Sequence, residues 1–207
     1  MKRSAIRICV LEVYMTCFRD FTAPDWEVFG GNALMLVTCA FYLAWWALAF
    51  WPKGIGYNSL TAILITVALL AGIASIAVLS LGVAALPRIE KGLPVSFVLL
   101  GAAVLFVFFL AVTKNAFHRP VTSELLVMFI WAAVEFSAIL ALSRSGRFAD
   151  GQIALLSTLV TIAMLVGLAC YVLYYRLEGL PGFWDGLIPL ATDAAVVAVF
   201  LSVQATS

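Results

Sequence analysis

Apolar runs of about twenty residues, each able to cross a bilayer as one helix, recur along this chain. They cover residues 28–50, 59–86, 94–113, 121–142, 152–175 and 183–203. Hydrophobic residues make up 65% of the 207, and charged residues only 11%. A soluble domain averages nearer about 45–50% and about 25%. In a globule of this size the excess would stay on the surface, whereas a bilayer accepts it. In hydrocarbon, backbone polar groups must be satisfied within the element, so each run is read as a helix. The expected fold is an all-α integral membrane protein. Six transmembrane helices form a single domain over residues 27–207.

Residues 1–26 read differently. Arg7 and Glu12 interrupt the apolar part, no small-residue cleavage site follows, and the uninterrupted run is too short to span. On a helix, Glu12, Thr16 and Arg19 share one face, while Ile6, Val10, Val13 and Tyr14 cover the rest. An amphipathic helix lying in the membrane interface fits this pattern. The alternative is a first, seventh-in-number span. Residues 22–25 then form a turn with an N-cap ahead of the first span.

Tyr42, Trp45, Trp46 and Trp51 crowd the far end of the first span, as an aromatic belt does. Ala68, Gly72, Ser75, Leu79 and Gly82 make a mostly small-residue stripe on the second, a surface for close helix packing. Eight of the twelve Lys and Arg residues fall on the side of the termini: Lys2, Arg3, Arg7, Arg19, Arg88, Lys91, Arg144 and Arg147. Lys53, Lys114, Arg119 and Arg176 fall on the other. This bias predicts cytoplasmic N and C termini in a plasma membrane of bacterial type.

The fourth run carries two carboxylates, Glu124 and Glu135, eleven residues apart and so on one helical face, with Met128 and Trp131. The sixth carries Asp185, Pro189 and Asp193. At about 1.5 Å per residue, Glu135 lies roughly 20 Å in from Val121 and Asp193 roughly 12–14 Å in from Trp184. Glu124 lies about a turn below the outer surface. Acids in hydrocarbon are costly and mark proton or cation routes. The plainer reading has each acid hydrogen-bonded between helices, and Glu124 serving the helix N-terminus. Pro189 removes a backbone hydrogen bond and can open a helix near a solute.

A second group lies at span ends on the outer side: His118, Arg119, Arg176 and Asp185, with Lys114, Glu178, Tyr174 and Tyr175. These residues could ring the mouth of a cavity, or simply snorkel to the interface. Trp131, Tyr171 and Tyr175 would supply aromatic walls. Asn32 would line the cavity from the inner side.

Several classes are excluded. The net charge of +1 gives no basic face for nucleic acid. Cys9, Cys17, Cys39 and Cys170 form no C-x-x-C pair and are read as packing thiols. A single histidine makes no metal or haem site. No hydrolase, metalloprotease or phosphate-loop motif is present. The expectation is therefore no metal and no cofactor. In size and span count the chain resembles small six-helix transport families: vitamin-binding subunits of energy-coupling importers, urea and amide channels, and acetate-type transporters. That resemblance is architectural and carries over no residue.

The functional expectation is a transporter or channel for a small solute, a cation or protons, centred on Glu135 and Asp193. Its partners would be the lipid bilayer and that solute, with a homo-oligomer or a partner membrane subunit also open. The alternative is a non-catalytic subunit or scaffold in which the acids bind helix to helix. An intramembrane enzyme using a carboxylate pair is a third reading, without a nucleophile-base pair to support it.

Overall fold

A computed structural model describes residues 21–51, 55–86, 123–174, 177 and 179–207. It also describes positions 100, 101, 103, 104, 107, 108, 110–112, 114 and 115. The side chains of 123–127 and 174 fall outside it. Among the described residues there are five continuous helices and no strands. They are α1 (Ala23–Phe50), α2 (Ser59–Ala85), α3 (Ser123–Arg144), α4 (Asp150–Tyr174) and α5 (Gly179–Thr206). The described positions from 100 to 115 are helical too. The interfacial helix expected before residue 21 lies outside the described residues.

Four helices, α1, α2, α4 and α5, are long and apolar enough to cross a membrane. Leu69, Leu70, Ile73 and Leu81 on α2 and Ile162 and Leu165 on α4 are exposed apolar side chains. Lipid tails solvate such a surface and water does not. The chain is a membrane-embedded helical protein.

Two helix starts differ from expectation, and both have a local cause. The first span was expected from about residue 28, but α1 begins at Ala23. Pro24 fits the first turn, where no N–H is needed. Asp25 Oδ2 accepts from Thr22 N at 2.8 Å and from Thr22 Oγ1 at 2.7 Å. The sixth span was expected from Phe183, but α5 begins at Gly179. Pro181 sits in its first turn, where a fixed φ costs nothing.

Small residues set the closest contact. A Cβ on Gly82 would lie 2.9 Å from Val28 N, and one on Gly31 would lie 2.8 Å from Leu79 N. The backbones of α1 and α2 therefore touch, and they run antiparallel. Ser75 Oγ donates to the Gly31 carbonyl at 2.7 Å across the same contact. The small-residue stripe thus serves packing, as its composition predicts. On its other side α1 packs antiparallel on α5, where Gly186 lies flush against the Trp46 ring and Trp46 Nε1 donates to the Phe183 carbonyl at 3.0 Å. α4 packs on α5 and α3, and α3 reaches α2. The five helices thus close a ring around a shared core that includes Val28, Leu79, Val134, Leu156, Val160 and Val197.

Candidate functional site

α3 presents Trp131, Ala132, Glu135, Ala138, Ile139 and Leu142 to the ring's interior at helical spacing. Glu135 is 1% exposed. Trp131, one turn earlier on the same face, donates its indole N–H to Glu135 Oε1 at 3.1 Å. Opposite stands Asn32 of α1, 0% exposed, whose side chain also engages the Glu135 carboxylate. Asn32 Nδ2 donates to the Val28 carbonyl at 3.3 Å. Among the described residues, Glu135 Oε2 and Asn32 Oδ1 have no hydrogen-bond partner. Two buried oxygens thus face the interior from α1 and α3, which stand across the ring from each other.

Asn32, Met35 and Cys39 are all buried, and at i, i+3 and i+7 they form one stripe on α1. Cys39 lies about 10 Å along the helix from Asn32, and there its thiol meets the charge of Asp193 on α5. Asp193 as a whole is partly exposed, but its Oδ1 is buried and unpartnered. Nearer the Trp46 end, Asp185 is hydrogen-bonded to the Cys170 thiol of α4, and its Oδ2 is again unpartnered. Pro189, inside α5, offers no N–H to the Asp185 carbonyl four residues back.

The three acids occupy successive depths. Asp185 lies about 9 Å and Asp193 about 21 Å into α5 from Gly179, and Glu135 lies about 13 Å from the opposite end of α3. Glu135 and Asp193 have different neighbours and are linked through the α1 stripe. Among the described residues, no three His, Cys, Asp or Glu side chains converge as metal ligands would.

Other expected site residues fall elsewhere. Tyr171 is half-buried beside Met128, Phe129, Leu110 and Leu168, in a small cluster separate from the main core. Glu124 is in the first turn of α3, with its side chain outside the description. His118, Arg119, Tyr175 and Arg176 lie outside the described residues, as do the neighbouring mouth candidate Glu178 and the N-terminal polar face.

Sequence reasoning missed a second polar cluster, at the end of the ring where α1 begins. Arg147 Nη2 pairs with Asp25 Oδ2 at 2.9 Å, and Gln204 Nε2 donates to the Asp25 carbonyl at 3.0 Å. Gly146 aims Arg147. With φ 75° it closes α3, as Gly146 N donates to Ser143 O and Arg147 N to Leu142 O, both at 3.0 Å. A glycine just past an apolar run was the available signal. The two packing thiols Cys39 and Cys170 proved to be neighbours of the acids.

Compared with known proteins, the chain matches no protein family, no curated protein and no solved structure.

Proposed function

We propose that this chain is a small membrane transporter or channel whose route for a small solute, cation or proton follows Asp185, Asp193 and Glu135. One observation carries the reading: each of these acids keeps a buried oxygen without a partner among the described residues, at successive depths. An unsatisfied buried polar group costs about 1–3 kcal/mol, and more when charged. Three such groups on the interior of one bundle are expensive unless a mobile donor visits them.

The scaffold reading needs the acids as glue between helices. Among the described residues, other groups make the main bonds between segments: Ser75 to Gly31, Trp46 to Phe183, Gln204 to Asp25, and Arg147 to Asp25. Glu135 bonds Trp131 of its own helix and also meets the Asn32 amide of α1. Asp185 does reach Cys170 of α4, through a thiol, which is a weak donor.

The helix directions favour six spans. α2 ends at the Asp25 end of the ring, beside Val28. α3 also ends there, one turn before Arg147. A crossing between them fits these directions, and the helical, exposed, apolar positions Leu100, Val104, Val107, Phe108 and Val112 lie in that stretch. Residue 21 and residue 207 then lie on one side, the side favoured by the Lys and Arg bias, which we assign to the cytoplasm.

The test is flux in vesicles holding the purified protein, for protons, small cations and neutral solutes. Glu135→Gln and Asp193→Asn should each bring a wild-type flux down to background while the protein still folds. Flux of every solute unchanged in both variants would defeat the reading.

A further inference from the structure

We infer that Glu135 and Asn32 together bind a monovalent cation. The inference names the ligand of the route proposed above and rests on that reading for how the ion arrives. Its geometry stands independently of transport.

The site is built from two helices. α3 supplies Glu135 Oε2 and α1 supplies Asn32 Oδ1, both at residues no more than 1% exposed and both without a partner. Each remaining polar atom of the pair is engaged. Trp131 Nε1 holds Glu135 Oε1 at 3.1 Å, which fixes the carboxylate rotamer, and Asn32 Nδ2 holds the Val28 carbonyl at 3.3 Å, which orients the amide. What is left is two oxygen acceptors, with a negative charge to compensate whenever the carboxyl gives up its proton.

Among the described residues, no ion pair involves Glu135. The ion pair among the described residues, Arg147 with Asp25, lies at the end of the ring, three residues past the end of α3. Buried carboxylates are ordinarily paired or bound to metal. A neutral solute would leave the charge uncompensated, and an anion would be repelled. A divalent ion wants more ligands, commonly six or more oxygens with several carboxylates. Here there is one acid, and no third His, Cys, Asp or Glu converges on it among the described residues. A single charge with two preset oxygens suits an alkali ion or an ammonium group, with water or backbone carbonyls completing the shell.

The experiment measures the unfolding midpoint of the purified full chain in detergent. The chlorides of sodium, potassium, ammonium and N-methylglucamine are compared at equal ionic strength. At least one small cation should raise the wild-type midpoint saturably over N-methylglucamine, because a ligand that binds only the folded state stabilises it. A preference for ammonium or for an alkali ion tells those two sources apart. Glu135→Gln should abolish the shift and Asn32→Ala should weaken it, while the control Ser202→Ala, at an exposed position on α5, should keep it. If Asn32→Ala does not fold, isothermal titration of the same chlorides into wild type and Glu135→Gln decides. Three results overturn the inference: no preference over N-methylglucamine, a preference that survives Glu135→Gln, or a Glu135-dependent response to pH alone, which means the site holds only a proton. Glu135-dependent flux without cation binding sinks this inference and leaves the route standing. Cation binding without any flux does the reverse.

Discussion

Two carboxylates in this bundle are equally hidden and very differently treated. Asp25 is 2% exposed and Glu135 is 1% exposed. Asp25 Oδ2 takes bonds from the Thr22 backbone, the Thr22 hydroxyl and Arg147, and the Asp25 carbonyl takes one from Gln204. Among the described residues, Glu135 has one indole N–H on Oε1, the Asn32 amide beside the carboxylate, and no bond to Oε2. The fold can therefore satisfy a buried acid with partners drawn from three parts of the chain. It does so at the end of the ring, and for Glu135 in the middle, among the described residues, it does not. Dry polar groups either complete their networks and rigidify the core or remain a standing cost.

The largest expected effect is at the satisfied acid. Asp25→Asn keeps an acceptor but removes the charge facing Arg147. Removing one partner of a fully buried pair costs about 3–5 kcal/mol. Arg147 is 25% exposed, so water takes over part of its solvation and we expect about 2–3 kcal/mol. Denaturant titration in detergent measures this. A midpoint equal to wild type would mean that the cluster is ornamental and the contrast with Glu135 false. Gln204→Leu should cost less, about 1 kcal/mol, because it removes one neutral donor from a carbonyl and also removes an oxygen that already lacks a partner. Combined with Asp25→Asn its effect should fall short of additive, since both act on one network.

The sequence made the bundle legible through run length, and it made Glu135, Asp193 and Asp185 legible because acids in hydrocarbon stand out. Asn32 and Trp131 were also readable, one as a polar residue near a span start and the other through its i+4 spacing to Glu135. The Asp25 cluster was not. Asp25 and Arg147 are 122 positions apart and each looks, in sequence, like an ordinary cap or loop charge. Gln204 lies past an apolar run, where polar residues are expected. Only the antiparallel packing of α1 on α5 and the turn at Gly146 bring the three together. Tyr171 was assigned to the acids' wall by its stripe on α4. The structure puts it beside Phe129 instead, because helical spacing defines a face but not the neighbour it meets.

The smallest effect on stability is expected at Glu135, and its sign matters more than its size. Glu135→Gln is the same change as Asp25→Asn, a carboxylate exchanged for its amide. The new side chain keeps an oxygen for Trp131 Nε1 and gains an NH2 in place of Oε2. That NH2 can donate to Asn32 Oδ1, so one substitution removes an orphaned acceptor and satisfies another. A net hydrogen bond is worth about 0.5–1.5 kcal/mol, and the uncompensated charge disappears as well. We therefore expect Glu135→Gln, measured with no small cation present, to be as stable as wild type or more stable by about 1 kcal/mol, opposite in sign to Asp25→Asn. Stabilisation that accompanies lost function is the usual signature of a site kept for chemistry at the expense of packing. The measurement is the same denaturant titration, run on both amide variants in N-methylglucamine chloride. Equal destabilisation of the two would make Glu135 a structural acid like Asp25, and the division between the ring's end and its middle would collapse.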